Sequence, residues 1–223
     1  MKCDCNRGCD RDLDRDLELV HADAHCLVAV KPSGLLAVPG LGAHGHDCLA
    51  ARVQAAFADA LVVHRLDMST SGLMLLARGA AVQRQLSIAF AQRAVHKRYL
   101  AVVRGQVAAD AGEIALPLMA DWPKRPMHKV DHAHGKPSLT RYRVLARDAA
   151  AGTTRLELEP VTGRTHQLRV HLLAIGHPIV GDALYAPAPV CALSGRLLLH
   201  ASALGFTHPQ SGAPMTFESS APF

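Results

Sequence analysis

A carboxylate placed between two apolar segments is the feature of this sequence with the most chemical content. Asp67 lies in the run His64–Gly72, with the guanidinium of Arg65 two residues before it and a Ser/Thr/Gly turn after it. The short segment 61–63 precedes this run and the apolar segment 73–77 follows it, and both are typical of buried strands. Burying a carboxylate between such neighbours costs free energy unless it has a partner or a chemical role. One alternative stays open on spacing alone, namely that Asp67 caps the turn through its side chain.

Several other segments combine basic, aromatic and glycine residues in fixed order along the chain. They are Lys31–Gly34 with Val38–Gly40, Lys97–Ala101, Gly163–His171, and Gly181-Asp182 with Tyr185. Together with the run around Asp67, these motifs resemble those of the RluA family of pseudouridine synthases, and the resemblance covers the chain from about residue 17 onward. The segment 121–126, with 135–137, is most similar to the branch of the family that modifies large-subunit (23S) ribosomal RNA and a tRNA anticodon stem-loop. The resemblance implies a central bent mixed sheet, mostly antiparallel, with flanking helices and a cleft across it.

The resemblance also implies a reaction. In that reaction the bond from ribose C1′ to uracil N1 breaks, the base turns, and it rejoins the ribose through C5. Asp67 is the nucleophile by resemblance, since a carboxylate can add covalently and later leave. Whether it attacks C1′ or C6, or acts as a base at the 2′ position, stays open. No redox change occurs and no group is supplied, so neither a cofactor nor a metal is expected.

Three further residues complete the predicted catalytic site. Arg164 precedes the N-terminus of a predicted helix, where the helix dipole disfavours a cation, and the resemblance makes Asp67 its ion-pair partner. An exposed arginine without a partner is the alternative for Arg164. Tyr99 is expected to pack on the uracil; a role for its hydroxyl in removing the C5 proton is the weaker expectation, because a phenol is a poor base. The target base must flip out of its stack, and Arg65 is expected to enter the space it leaves. A phosphate contact is the alternative for Arg65.

The basic segment 117–137 is predicted to be an extended loop or irregular hairpin that contacts the RNA backbone. Lys124, Arg125 and Lys129 are its predicted substrate-binding residues, and Trp122 is expected to anchor the loop rather than to stack on RNA. A solvated loop without such a role is the alternative.

The helix predicted from about Thr165 to Gly176 carries a further candidate for substrate binding. Arg169 shares a face of this helix with His166, whereas Leu168, Leu172 and Ile175 are expected in the core. We treat His166 and His171 as structural.

Composition limits the classes of protein that fit. The chain has 223 residues, 49% of them hydrophobic and 19% charged, which is typical of a globular protein. Its net charge of +5 suits a polyanionic partner. No secretory signal or membrane-spanning run is recognisable, so a cytoplasmic location and free cysteine thiols are expected. The spacing of Cys3, Cys5 and Cys9 is not a usual zinc pattern. A monomer is the default expectation.

The pattern of predicted elements favours the α+β class. Strands occur in runs with helices inserted irregularly, which differs from the regular alternation of a parallel sheet. We expect a flexible tail over 1–16 and one catalytic domain over 17–223, without a separate N-terminal RNA-binding module. Strands are predicted at 17–20, 27–30, 61–63, 73–77, 99–104, 141–146, 154–159, 197–206 and 215–218, and helices at 47–58, 80–92 and 165–176.

Three other functions compete with this interpretation. An aspartate-dependent phosphatase or hydrolase would pair Asp67 with further acids around magnesium, but no acidic residue lies within several positions of it. A metal-binding protein could use His128, His132 and His134 with the N-terminal cysteines, although that segment is predicted to be a loop. A non-catalytic RNA-binding protein would use the same basic surface but would need no Asp67 site.

Overall fold

Within the described part of the chain, the protein is built on a ten-stranded sheet. The computed structural model describes residues 17–40 and 46–223. The strands are β1 (Glu18–Ala22), β2 (Cys26–Lys31), β3 (Ala60–Val62), β4 (Ser71–Arg78), β5 (His96–Arg104), β6 (Ala111–Ala115), β7 (Leu118–Ala120), β8 (His128–Val130), β9 (Leu139–Asp148), β10 (Thr153–Pro160), β11 (Leu199–Thr207) and β12 (Pro214–Glu218). The helices are α1 (Leu49–Ala56), α2 (Ala80–Ala91), α3 (Gln167–Ala174) and α4 (Ala188–Cys191), and a short 3-10 helix covers Trp122–Lys124.

Strand order explains how distant parts of the chain meet. The order along the sheet is β1-β2-β4-β11-β5-β10-β9-β6, with β3 paired to β4 and β12 paired to β11. Strand β11 pairs in parallel with β4 and antiparallel with β5. The other strand pairs of this sheet are antiparallel. The predicted α+β class with a mixed, mostly antiparallel sheet is therefore confirmed. Strands β7 and β8 form a separate hairpin, as predicted for the basic segment.

Strand β4 is buried on both faces, which is why its sequence is a continuous apolar run. Leu73 and Leu75 pack in the cluster that contains Leu86 of α2, whereas Met74 and Leu76 pack in the cluster that contains α1. This alternation follows from the two-residue period of a strand. The loop that carries Asp67 enters this rigid strand directly.

A second core lies under α3. Leu168 and Leu172 of this helix pack with Ala101 and Val103 of β5 and with residues of β10. Tyr99, also on β5, packs against this cluster and against the α1 cluster, so its ring lies where the two meet. Two deep cores therefore fix the position of this aromatic residue.

Strands β4 and β11 approach closely beside the Asp67 loop. Gly72 has φ +112°, and a Cβ at this position would collide with the Ala201 backbone. Only glycine combines that backbone conformation with so close a contact. The parallel pair at the centre of the sheet therefore depends on this residue.

Several predicted helix boundaries differ from the structure. Cys48, not Asp47, is the N-cap of α1, and its Sγ accepts the N–H of Ala51 at 3.4 Å. Asp47 instead pairs with Arg52 at 2.8 Å. Helix α3 begins at Gln167 rather than near Thr165.

Part of the predicted organisation lies outside the described residues. The tail over 1–16, with Cys3, Cys5 and Cys9, belongs to that part. Within the described ranges, no helix is long and apolar enough to cross a membrane.

Candidate active site

Asp67 stands on a turn that the backbone holds in place. The N–H of Thr70 donates to the carbonyl of Asp67 at 3.1 Å, and the N–H of Gly34 donates to the carbonyl of Met68 at 2.9 Å. The turn is thus closed by a main-chain carbonyl, which does not support the capping alternative for the Asp67 side chain. That side chain is 22% exposed and reaches a cleft of about 510 Å³. The carboxylate is therefore available for chemistry.

A buried lysine supports the same turn from behind. Lys31 is 0% exposed, and its ammonium donates to the carbonyls of Pro32, Leu35 and Met68 at 2.7 to 2.9 Å. Three carbonyl acceptors match the three donors of an ammonium group. Burial lowers the pKa of Lys31 to about 8, and the charge of Asp67 opposes this shift. Lys31 therefore ties the loop after β2 to the residue that follows Asp67.

The cation beside Asp67 is Arg169. Its Nη1 lies 3.3 Å from Asp67 Oδ2, while its Nε and Nη2 donate to Asp182 at 2.8 and 2.6 Å. Arg169 is 4% exposed and Asp182 is 1% exposed. A two-point contact of this kind fixes the plane of a guanidinium. Asp182 therefore aims the remaining nitrogen of Arg169 at Asp67.

The predicted ion pair between Arg164 and Asp67 is wrong. The Arg164 side chain is exposed, and its Nε contacts the Pro137 carbonyl at 3.4 Å; within the described chain it forms no salt bridge. Arg164 still lines the cleft. The helix-dipole argument predicted that the partner of Asp67 is Arg164, before the helix, whereas the observed partner, Arg169, lies within the helix.

The start of α3 explains this difference. His166 adopts the left-handed conformation (φ 56°, ψ 16°), so the helix begins at Gln167. The Gln167 side chain accepts the hydroxyl of Thr162 at 2.7 Å and the N–H of Arg164 at 3.0 Å, and donates to the Leu139 carbonyl at 2.9 Å. These bonds tie the turn before the helix to β9. Arg169 lies on the buried side of the first turns of this helix.

His166 was treated as structural, but it contacts the predicted nucleophile. Its Nε2 lies 3.8 Å from Asp67 Oδ2, and its Nδ1 lies 2.6 Å from the Tyr185 hydroxyl. That hydroxyl accepts the N–H of His128 at 2.8 Å, so its own hydrogen is available to His166 Nδ1. In that arrangement Nε2 carries the hydrogen of the neutral ring and faces Asp67. Burial lowers the pKa of His166, which favours the neutral ring.

The sequence contained a signal for this contact. The three-residue spacing predicted that His166 and Arg169 lie on one helix face; both side chains do approach Asp67 Oδ2, but His166 precedes the helix rather than forming part of it. A strained conformation of a non-glycine residue is also common at functional sites, but it is visible only in the structure.

Tyr99 and Arg65 both line the cleft, as the predicted roles require. Burial, and then the charge of Asp67, raise the pKa of Tyr99, so its hydroxyl keeps its proton near neutral pH. This favours packing on a base over proton abstraction. Arg65 is exposed, and no hydrogen bond or salt bridge links it to another residue of the described chain. Its guanidinium is therefore free to move.

The β7–β8 hairpin presents its basic residues to solvent. Lys124, Arg125 and Lys129 are exposed, and Lys129 lies 3.7 Å from Asp131. The expectation that Trp122 anchors the loop is wrong, because it is 61% exposed with the Arg125 guanidinium 3.8 Å from its ring centre. Met127 and Val130 anchor the hairpin instead, by packing on the α3 side.

One group in the described ranges has the spacing of metal ligands: His21, Asp23 and Cys26. Burial raises the pKa of the Cys26 thiol to about 12, which disfavours a thiolate ligand. His208 also contacts Asp23, at 3.0 Å, but its Nδ1 accepts two backbone N–H groups of the following turn. Its Nε2 therefore carries the hydrogen and donates to Asp23. We interpret the group as a hydrogen-bond cluster that joins two turns.

Comparison with known proteins places the chain among RNA-modifying enzymes. The family model described as RNA pseudouridylate synthase matches residues 25–174. The chain is 51% identical over 197 residues to the dual-specificity RNA pseudouridine synthase RluA of Vibrio vulnificus, covering 87% of this chain and 79% of that protein. It is 46% identical over 207 residues to the protein of the same name from Escherichia coli K12, covering 93% and 94%. The solved structure of human RNA pseudouridylate synthase domain containing 1 is similar with a TM-score of 0.78 and 29% identity, covering 93% of this chain and 84% of that one.

Proposed function

Because the chain belongs to the RNA pseudouridylate synthase family and is an isomerase that acts on RNA, we propose that its targets include uridines in both large-subunit ribosomal RNA and a tRNA anticodon stem-loop. Relatives named as dual-specificity enzymes support this choice, since they match at 46% to 51% identity over most of the chain. The observation that carries the mechanism is the pair of contacts from Arg169 and His166 to one oxygen of Asp67.

Both contacts fall on Oδ2, at 3.3 and 3.8 Å. Oδ1 has no hydrogen-bond partner in the described chain. A carboxylate held by one oxygen keeps the lone pairs of the other for a bond to carbon or hydrogen. We therefore assign the reaction to Oδ1 of Asp67, whichever atom of the nucleotide it attacks.

The remaining cleft residues have roles in presenting the uridine. Tyr99 supplies a ring whose position is fixed by two apolar clusters, and a flipped uracil packs on it. Arg65 extends from the exposed rim of the same cleft and enters the space left in the RNA stack. Arg164, at that rim, is assigned to RNA contact rather than to the ion pair with Asp67.

The exposed hairpin is assigned to the RNA backbone. Lys124, Arg125 and Lys129 lie within six positions of one another, and the hairpin packs beside α3, the helix that carries Arg169. Such contacts add affinity that falls with salt and carry little sequence information. No cofactor enters the proposed mechanism. The cytoplasmic location and the monomeric state stay predictions from the sequence.

The test is release of tritium from RNA that carries 5-tritiated uridine, because the C5 hydrogen leaves when the base is rejoined there. Wild-type protein and Asp67→Asn are compared on tRNA and on large-subunit ribosomal RNA. Release from both RNAs by the wild type, with none from Asp67→Asn and with RNA affinity nearly unchanged, is the expected result. Asparagine keeps the size of the side chain but is not a nucleophile of this kind.

Each other outcome has a definite meaning. Release from only one RNA would refute the dual specificity but not the activity. Loss of binding in step with activity in Asp67→Asn would make Asp67 a folding residue. Tight binding by the wild type without release from either RNA would favour a non-catalytic RNA-binding protein.

A further inference from the structure

Two lysines near the cleft differ in their hydrogen bonding. Lys31 is fully buried, and all three of its donors meet carbonyl oxygens. Lys97 is partly buried, and burial lowers its pKa, but within the described chain its ammonium has no hydrogen bond or salt bridge. A partly desolvated cation is costly to leave without an acceptor. The site therefore has an open position for negative charge beside Lys97.

That position faces the reacting residues. Lys97 lies two residues before Tyr99 on β5, so their side chains project to the same face of the sheet. Both line the cleft with Asp67. A Cβ on Gly163 would lie 3.9 Å from Lys97 Nζ, which places the ammonium against the chain leading into α3.

The neighbours of Lys97 cannot supply the missing acceptor. The Nε2 atom of His64 already accepts the N–H of Leu75 at 2.9 Å. The neutral ring of His64 therefore has its hydrogen on Nδ1 and no second acceptor. Burial, and then the charge of Lys97, lower the pKa of His64 to about 3, so this ring stays uncharged. Within the described chain no carboxylate forms a salt bridge with Lys97 either, so its ammonium is available to a negatively charged group of the substrate.

We propose that the Lys97 ammonium stabilises the negative charge that the uracil acquires when its bond to the ribose breaks. This inference rests on the proposed function. When the C1′–N1 bond breaks, its electron pair stays on the base and the charge spreads over N1, O2 and O4. The electron-poor C1′ is held by a bond to Asp67 Oδ1, and this bond breaks and returns its electron pair to the carboxylate as the C5–C1′ bond forms with a π electron pair of the base. The C5 proton then passes to solvent, and N1 takes up a proton from solvent. Atoms and charge are conserved, and Lys97 keeps its proton throughout.

A fixed cation aimed at charge that exists only during reaction accelerates the chemical step. It should contribute little to the affinity for RNA, because the bound uridine is neutral before the bond breaks. A lysine that contacts phosphate would behave in the opposite way, since the phosphate is charged at every stage. The two roles are therefore separated by comparing rate with affinity.

The experiment uses the full chain with Lys97→Met and Lys97→Arg, and with Lys129→Met as the matched example of a phosphate contact. Single-turnover tritium release gives the rate, and filter binding at several salt concentrations gives Kd. Lys97→Met is expected to lower the rate about 100-fold or more with Kd changed less than about threefold, and Lys97→Arg to keep an intermediate rate. Lys129→Met is expected to raise Kd and to reduce its salt dependence.

The outcomes that overturn the inference are distinct from failure of the activity. An unchanged rate in Lys97→Met, or a raised Kd with a reduced salt slope, would overturn the role of Lys97 and leave the proposed function standing. Absence of release by the wild type would overturn the proposed function itself. If Lys97→Met is unfolded by circular dichroism, Lys97→Gln replaces it as the variant without the charge, and an unchanged rate in Lys97→Gln would also overturn the role of Lys97.

Discussion

Replacing Arg169 by methionine should damage the fold and the reaction for separate reasons. The change removes a cation that is 4% exposed and leaves Asp182, which is 1% exposed, without a charged partner. Breaking one side of a buried ion pair costs about 3–5 kcal/mol of the free energy of unfolding. Asp67 also loses its contact at 3.3 Å. A hydrogen bond to a charged group is worth about 1.5–3 kcal/mol, so the rate should fall by about 10- to 150-fold.

The double variant Arg169→Met with Asp182→Asn separates these two effects. Both charges of the buried pair are then absent, and replacing such a pair together is often nearly neutral for stability. The asparagine side chain keeps an Oδ1 to accept the N–H groups of Leu184 and Tyr185, which in the wild type donate to Asp182 at 3.0 and 3.2 Å. We therefore expect the free energy of unfolding to recover to within about 1–2 kcal/mol of the wild type. The tritium-release rate should stay low, because nothing replaces the cation beside Asp67.

Urea unfolding measures the free energy of unfolding, and single-turnover tritium release measures the rate of the reaction. Asp182→Asn alone completes the cycle and gives the coupling energy between the two side chains. Recovery of the rate together with stability in the double variant would refute the reasoning. Arg169 would then act only through the fold, and its contact with Asp67 would have no part in catalysis.

The remaining predictions concern three other contacts of the site. Lys31→Met should lower the free energy of unfolding by about 3 kcal/mol or more, because three carbonyls, one of them that of Met68, lose their donor; urea unfolding measures this. Burial lowers the pKa of His64 from 6.5 to about 3, so in this range the unfolded chain binds a proton that the folded chain does not. Stability should thus fall from pH 7 to pH 5, by about 2 kcal/mol for His64 alone, in urea titrations at both pH values. Tyr185→Phe should slow tritium release about 3- to 10-fold at unchanged RNA affinity, because His166 loses the hydroxyl that orients its ring.

Opposite results would be informative in each case. A free energy of unfolding of Lys31→Met equal to that of the wild type would mean that the carbonyls of the loop find other donors. Equal urea midpoints at pH 7 and pH 5 would mean that the folded chain takes up the same protons as the unfolded one. A Tyr185→Phe variant that loses RNA affinity instead of rate would place the hydroxyl in RNA binding.

The sequence was sufficient to predict where the strands meet the site, because the relevant patterns are local. The apolar run of β4 and the turn before it placed Asp67 at the entrance of a buried strand, as observed. Strand β6 and helix α4 were not predicted. Strand β6 has Ile114 as its only large apolar residue, and α4 is only four residues long, so neither shows a clear hydrophobic period.

The identity of the cation beside Asp67 could not be derived from spacing. Arg164 and Arg169 belong to the same motif, and the choice between them depends on where the helix begins. That point is set by Gln167, whose side chain bonds to residues of β9 and of the preceding turn. The choice of Arg169 also depends on Asp182, which holds the Arg169 guanidinium from a separate loop. Both are tertiary contacts, and they cannot be inferred from the position of a residue relative to the helix dipole.

The position of β11 in the sheet has a consequence for how the protein is made. This strand lies between β4 and β5, yet it is translated after both of them and after α3. A nascent chain that has emerged only as far as α3 therefore lacks the strand that joins the half carrying Asp67 to the half carrying Tyr99. The two halves can form their own hairpins on the ribosome, but they remain unconnected along the sheet. Insertion of β11 is thus the step that assembles the cleft, and catalytic competence arises late in synthesis.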